Sequence, residues 1–203
     1  MTKGLLVVAL LGASVPAFGE GAPPAAPVAM KEVPAGKPAC SLMTLPDAKS
    51  ACKITSSEKV DGLGKVGLMG AGTVRTGASF ALSIESGGKT YVTDSIVLTE
   101  DCGMGKCISP SSASPRLRVI AKKYAALAIE VKMTFSGGNE GGGKKTSESW
   151  KEYRFLICKP SPTGAPTCST RQFGGRGAAC TASLADDGTL THACPETEFF
   201  GGN

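Results

Sequence analysis

The sequence contains a single histidine, His192, among its 203 residues. One imidazole cannot supply the several histidine ligands of many metal sites, and a Ser-His-Asp arrangement would depend on this residue alone. The Gly-x-Ser-x-Gly pattern that positions the nucleophilic serine of many hydrolases is also missing. We therefore expect His192 to be a strand residue without a catalytic role, and we predict no catalytic residues.

Aromatic residues are scarce, at 5% of the chain, and the sequence pI is near 8.8. Surfaces that bind nucleic acid combine strong positive charge with aromatic side chains on which the bases stack. Neither feature is developed in this sequence, so nucleic acid is not an expected partner. The small number of aromatic residues also predicts a modest hydrophobic core.

Long apolar runs are missing after residue 19, and no later segment approaches the roughly 18 apolar residues of a spanning helix. Residues 1–19 have the pattern of a secretory signal peptide. Met1-Thr2-Lys3 carries the positive charge, a short apolar run follows, and Ala17-Phe18-Gly19 is a small-residue cleavage pattern. An uncleaved anchor is the alternative. We predict a secreted or periplasmic protein without a transmembrane segment.

Residues 20–39 are rich in Ala, Pro and Gly and show no alternation of apolar and polar residues. Because proline fixes φ and removes an amide donor, we predict a disordered, partly extended linker here. Residues 40–203 are long enough for one domain with its own core, and no second linker divides them. The formal net charge is +5, and removal of Lys3 with the signal peptide would leave +4.

Eight cysteines, all downstream of the predicted signal peptide, indicate an oxidising compartment and up to four disulfides. Bridges that close short loops each stabilise a fold by about 2–3 kcal/mol. Zinc binding is the competing use of cysteine, but a second closely spaced ligand pair is missing, so we expect no metal. The order of the eight cysteines along the chain suggests the local disulfide pairs Cys40–Cys52, Cys102–Cys107, Cys158–Cys168 and Cys180–Cys194.

The last of these pairs has the most specific support. The sequence 185–189, Ala-Asp-Asp-Gly-Thr, fits a three-residue hairpin loop in which Gly188 takes a positive φ. That register places Cys180 directly opposite Cys194, at a Cα separation of about 4.5–5.5 Å that suits a disulfide. The pairs that share this face are Leu184 with Leu190 and Ala182 with His192.

Alternation of apolar and polar residues predicts short strands through most of the domain. Residues 78–98 are typical of a hairpin with a tight turn at Gly87-Gly88, although the apolar positions change face between Tyr91 and Val92. Residues 116–131 fit one face of a helix, but the strict alternation of 127–135 favours two strands, 116–122 and 126–135.

About eight to ten such strands, separated by Gly/Pro turns, predict an all-β fold. We expect an antiparallel β-sandwich or small barrel of hairpins, stapled by disulfides, after the signal peptide and the linker. The predicted core residues are Phe80, Leu82, Ile84, Val119, Ile129, Val131, Met133, Phe135, Tyr153, Phe155 and Ile157.

Two local patterns carry little functional weight. Gly62-Leu63-Gly64-Lys65-Val66-Gly67 has the letters of a dinucleotide-binding fingerprint, but no strand and helix of a βαβ unit flank it. We predict a glycine-rich strand or loop there and no cofactor. Residues 46–51 give a short helix signal at best.

The charged residues leave several possibilities open. The acidic pairs Glu100-Asp101 and Asp186-Asp187 lie in turn-like contexts, where aspartate commonly makes local hydrogen bonds. If the basic residues in or near turns converge, they would face an acidic polysaccharide or an anionic envelope surface; scattered solubilising charge is the alternative. These basic residues are Lys122, Lys123, Lys144, Lys145, Arg171 and Arg176.

The sequence favours an exported, non-enzymatic β domain that acts as a binding or envelope-surface structural module. A secreted protease inhibitor is an alternative, in which residues 107–116 form an exposed loop braced by the Cys102–Cys107 bridge. A second alternative is a hydrolase whose carboxylates are dispersed along the chain, as the paired acids of glycoside hydrolases often are.

Overall fold

The protein has an all-β fold, as the sequence predicts. The computed structural model describes residues 26–103, 106–137, 146–162, 164–176, 179–194 and 196–197. The predicted signal peptide, residues 1–19, lies outside the described residues. No helix in the described part of the chain is both long enough and apolar enough to cross a membrane.

The described strands pair antiparallel throughout. In chain order they are β1 (Ala26–Val28), β2 (Met30–Glu32), β3 (Cys52–Val60), β4 (Gly64–Thr73), β5 (Gly77–Ser86), β6 (Lys89–Thr93), β7 (Ile96–Leu98), β8 (Asp101–Gly103), β9 (Lys106–Ile120), β10 (Tyr124–Gly137), β11 (Thr146–Lys159), β12 (Thr167–Gly174), β13 (Ala182–Leu184), β14 (Leu190–His192) and β15 (Glu196–Thr197).

Two sheets face each other, and a separate hairpin lies outside them. The larger sheet has the order β1-β12-β11-β10-β9-β8, with β15 beside β12, and it curls into half a barrel. The smaller sheet has the order β2-β6-β5-β4-β3, with β7 beside β5. Strands β13 and β14 pair only with each other among the described residues, and we call them the outer hairpin.

Strands β9 and β10 resolve the ambiguity between strand and helix at residues 116–131. They pair along nearly their whole length, with one register shift between Lys132 and Met133. A tight turn joins them, in which Ala121 and Lys122 have φ values of 48° and 59° and the Lys123 N–H donates to the Ile120 carbonyl at 3.0 Å. The two-strand interpretation is therefore confirmed.

The hairpin of β5 and β6 turns at Gly87-Gly88, where φ is 59° and 78°. Tyr91 lies opposite Ile84, whereas Val92 packs on the outer face of the sheet with Met69. Both residues are buried because both faces of this sheet are covered, which explains the change of apolar face in the sequence. The chain opposite β5 then contains one extra residue. Val92 pairs with Ser83, but Ile96, four residues later, pairs with Phe80, only three residues earlier.

The main core fills the space between the two sheets. Alternate residues of β10, from Ala125 to Phe135, point into it, and residues of β4, β5 and β7 meet them from the smaller sheet. On β11 the inward residues are Trp150, Leu156 and Cys158. The prediction that Tyr153, Phe155 and Ile157 belong to this core is wrong in its detail, because these residues pack on the opposite face.

That opposite face is covered by the outer hairpin. Phe155 and Phe173 meet edge to face at 6.0 Å, and Leu184 and the Cys180–Cys194 bridge pack over them. The hairpin has the predicted register, and Gly188 has a φ of 91°.

The outer face of the smaller sheet is covered by the segment before β3. Ala39–Leu42 forms a 3₁₀ helix, Met43 packs on Met69 and Val92, and Cys40 is joined to Cys52. The helix signal at residues 46–51 is wrong, because these residues form turns without a helix. Pro46 packs closely on Gly72 and Gly77 of the β4–β5 hairpin, where an added methyl group would lie 2.8 Å from the proline ring.

Two expectations about irregular segments need correction. Within the predicted linker 20–39, whose first six residues lie outside the described part of the chain, β1 pairs with β12 and β2 with β6, so this part is not disordered. Proline is tolerated there because both strands lie at sheet edges. The predicted exposed loop 107–116 is part of β9, whose Pro110 and Pro115 are compatible with an edge strand that pairs on one side.

The eight cysteines form four disulfides in the order that the sequence suggests. In two of them the partners are directly opposed on neighbouring strands: Cys158 with Cys168, and Cys102 with Cys107. The first of these bridges is buried in the main core, whereas the second is at the surface.

Candidate binding cleft

A cleft of about 1080 Å³ opens between the edges of the two sheets, and we call it the cleft. One side is formed by β1 at the edge of the larger sheet, and the other by residues 94–101, which include β7 and the crossover to β8. Its inner wall reaches the main core, because Ile96, Leu98 and Leu156 belong to both. The cleft therefore lies between β1 at the edge of the larger sheet and the segment that leads from β7 to β8.

The lining combines apolar side chains with hydroxyl groups. Such a mixture is typical of sites that hold a largely apolar ligand and orient it through a few hydrogen bonds. The apolar residues include Val28, Ile96, Val97, Leu98, Ile108, Met133 and Leu156, and the hydroxyl-bearing residues are Thr44, Ser95, Thr99 and Thr170.

Three carboxylates also line the cleft: Asp94, Glu100 and Asp101. Asp94 is paired with Lys31 of the neighbouring strand at 2.9 Å. Glu100 accepts a hydrogen bond from the Ser109 hydroxyl at 2.6 Å. The turn context of Glu100-Asp101 in the sequence gave no sign of a cavity, because the cavity arises from the crossover between sheets.

A buried polar network forms part of the wall. Glu152 is 8% exposed and accepts hydrogen bonds from Trp150 Nε1 at 2.9 Å, from Arg154 at 3.2 Å and from Gln172 Nε2 at 3.4 Å. The guanidinium of Arg154 lines the cleft. Sequence reasoning missed this network, although Glu152 and Arg154 share the alternation of Trp150 and Leu156 and so had to point inward.

A smaller cleft of about 320 Å³ adjoins the first at the β4–β5 turn. The two share Thr99, Glu100 and Pro110, and the smaller one adds Arg75. Together they form one continuous depression beside the crossover from β7 to β8.

The residues considered for catalysis in the sequence are not gathered here. His192 donates a hydrogen bond from Nδ1–H to the Cys194 carbonyl at 2.7 Å, and its ring stacks on Phe173 at 4.4 Å. Asp186 contacts Arg118 at 2.5 Å. Asp187 accepts the Thr189 backbone N–H at 2.8 Å, and this bond lowers the pKa of the carboxyl below its ordinary value.

The basic residues considered for an anionic surface are separated. Lys122 and Lys123 lie at the turn before β10, whereas Arg176 stacks over Phe135, near the far end of that strand, and pairs with Glu148 at 2.7 Å. That separation spans about 35 Å at the rise of a β-strand. Arg171 lies on the face of the larger sheet that the outer hairpin covers, and Lys144 and Lys145 lie outside the described residues.

One group near the cleft has the residue types of a metal site. Atoms of Glu100, Cys102 and Cys107 lie within 4.8 Å of one another. The two sulfur atoms are bonded to each other, however, and a disulfide sulfur lacks the thiolate charge that metals require. The arrangement is therefore that of a bridge beside a carboxylate.

Comparisons with known proteins found no match to the chain among family models, curated proteins or solved structures.

Proposed function

We propose that the protein is an exported binding module that holds a small, largely apolar ligand in the cleft. The observation that supports this proposal is the cleft itself, whose volume of about 1080 Å³ suits a ligand of drug-like size. Export is supported by the signal-peptide pattern of residues 1–19 and by eight cysteines that all form disulfides.

The construction of the cleft suits binding rather than a mobile catalytic site. The outer faces of the two sheets around it carry segments that disulfides hold in place. A cavity that is already formed before the ligand arrives avoids the free-energy cost of ordering flexible loops on binding. The buried network around Glu152 further fixes the wall that carries Arg154.

The proposal is tested with Ile108→Asp and the neutral fluorescent probe N-phenyl-1-naphthylamine. Ile108 lines the cleft and is 36% exposed, so the carboxylate would enter the mouth without disturbing the core. Loss of apolar contact and the new charge should raise the dissociation constant of the probe by about tenfold, which corresponds to about 1.4 kcal/mol. Fluorescence titration measures the effect.

Ile54→Asp is the matched control, because Ile54 is also an exposed strand isoleucine, at 52%, and does not line the cleft. Its affinity for the probe should equal that of the wild type. Wild-type protein that fails to bind the probe, or equal losses in both variants, would refute the cleft as a ligand site.

A hydrolase is the second candidate, and the three carboxylates along the cleft favour it. Glycoside hydrolysis needs two carboxyl groups that flank the bond to be broken. Turnover of an aryl glycoside that is lost at least a hundredfold in Glu100→Gln, but is kept in Asp187→Asn at the distant outer hairpin, would decide for this candidate. Absence of turnover across a panel of aryl glycosides would remove it.

A further inference from the structure

We propose a second binding site, separate from the cleft, at the end of the molecule where β9 turns into β10. Four exposed lysines, Lys59, Lys122, Lys123 and Lys159, surround this end, and we call them the basic pole. The structure assigns this surface to an acidic polysaccharide, recognised through its regularly spaced carboxylate or sulfate groups. Such a contact would hold the module on an anionic matrix while the cleft remains open.

Direct contacts bring the turns of the basic pole together. The Asp61 backbone N–H of the β3–β4 turn donates to the Lys122 carbonyl at 2.9 Å. A methyl group at Gly62 would lie 3.0 Å from the Pro160 ring, so the start of the β11–β12 loop touches the same turn. Each lysine of the basic pole is therefore within two residues of a contact between turns.

The charges of these lysines are not neutralised by neighbouring acids. Among the described residues, no ion pair within 4.0 Å involves any of the four lysines. The acids of this end are Glu58, Asp61, Asp186 and Asp187, of which Asp186 is already paired with Arg118. The four lysines therefore outnumber the three remaining acids of this end, and they are gathered at the turns at Asp61, Lys122 and Pro160.

Two local features of the basic pole lower the stability of the fold. Lys59 lies directly opposite Lys65, and like charges in that position destabilise a sheet. Within the part of the chain that the structure describes, Lys65 pairs with Glu85 alone, at 3.9 Å. The adjoining turn places Ala121 and Lys122 at positive φ, where glycine or asparagine is usual. Unfavourable local choices that meet in one place are expected at functional sites.

The rest of the surface here favours a polysaccharide over other anionic partners. Docking on a membrane surface usually uses inserted aromatic or aliphatic side chains, and single-stranded nucleic acid uses stacking platforms. Tyr124, at 36% exposure, is the large apolar or aromatic side chain exposed beside the four lysines. Spaced charges on a rigid turn surface, with almost no apolar component, suit a hydrophilic polyanion.

The test uses full-length protein and immobilised polygalacturonate as the acidic polysaccharide. The variant carries Lys59→Gln, Lys122→Gln, Lys123→Gln and Lys159→Gln, and its dissociation constant at 50 mM salt should be at least tenfold above wild type. A matched control removes four exposed lysines elsewhere, with Lys37→Gln, Lys53→Gln, Lys106→Gln and Lys132→Gln, and should bind within twofold of wild type. Both variants have the same net charge.

A second variant tests whether weaker binding comes from lost charge rather than from a change in the β9–β10 turn. Lys59→Gln with Lys123→Gln leaves Lys122 in place and should weaken binding about threefold without lowering the melting temperature, because the repulsion between Lys59 and Lys65 is removed. Equal losses in the basic-pole and control variants would show a non-specific charge effect and overturn the proposal. So would tighter binding to anionic vesicles or to single-stranded DNA than to polygalacturonate. The probe affinity of the cleft should be the same in all these variants.

Discussion

Glu152 shows how one residue can shape both stability and the cleft. Its carboxylate receives hydrogen bonds from Trp150, Arg154 and Gln172 in the wall between core and cleft. A buried charge is tolerated only when hydrogen bonds or a counter-charge replace its hydration. The position of Arg154 in the cleft therefore depends on this carboxylate.

Replacement of Glu152 by alanine should lower the free energy of unfolding by about 3 kcal/mol, because a buried ion pair would lose one member. Chemical denaturation followed by tryptophan fluorescence measures this loss. Glu130→Gln is the control: Glu130 pairs with Lys151 at 2.6 Å on the exposed face, so its loss should cost less than about 0.5 kcal/mol. Equal effects of the two substitutions would contradict the structural role given to Glu152.

At the residue scale, the sequence predicts turns better than it predicts buried polar groups. Gly188 and the pair Gly87-Gly88 identify their turns because a positive φ restricts the residue type. Glu152 gives no comparable local signal, since its partner Gln172 comes from another strand. Only the alternation with Trp150 and Leu156 points to its inward direction.

The outer hairpin shows how an element of six paired residues can cover part of a sheet face. Leu184 and the Cys180–Cys194 bridge cover Phe155 and Phe173. Two strands of three residues are too short to be stable alone. The hairpin therefore depends on its disulfide and on the aromatic residues below it.

The double substitution Cys180→Ser and Cys194→Ser should lower the free energy of unfolding by about 3 kcal/mol and release the outer hairpin. Limited proteolysis should then cleave near Asp186-Asp187, with exposure of Phe173. The matched pair Cys102→Ser and Cys107→Ser opens a surface bridge that covers no core cluster. Its cost should be about 2 kcal/mol, without cleavage in the outer hairpin. Resistance of the first variant to proteolysis would contradict this account.

At the element scale, strands were predictable where one face is polar and uncertain where both faces are covered. Strand β10 alternates clearly, and its position was predicted. Strand β11 has apolar residues on both faces, so its sequence alone did not show that the even positions face the main core. Strand β9 resembles a loop because an edge strand accepts serine and proline.

At the scale of the whole molecule, the predicted class of fold is confirmed, but the cleft depended on how the two sheets diverge. Asp94 and Glu100 belong to one segment that lies far from Arg154 in the sequence, and they meet Arg154 only through the arrangement of the two sheets around the cleft. The basic pole likewise joins three separate turns. No local pattern reports such convergence, because it is a property of the arrangement of strands.

The pairing of β1 with β12 has a consequence for the order in which the chain folds. Each disulfide and most hairpins join segments that are close in sequence, so they can form early and locally. Strand β1, near the beginning of the chain, must wait for a partner that is synthesised near its end. Strand β1 can therefore dock only after β12 has been made, so this edge of the larger sheet is completed late in folding.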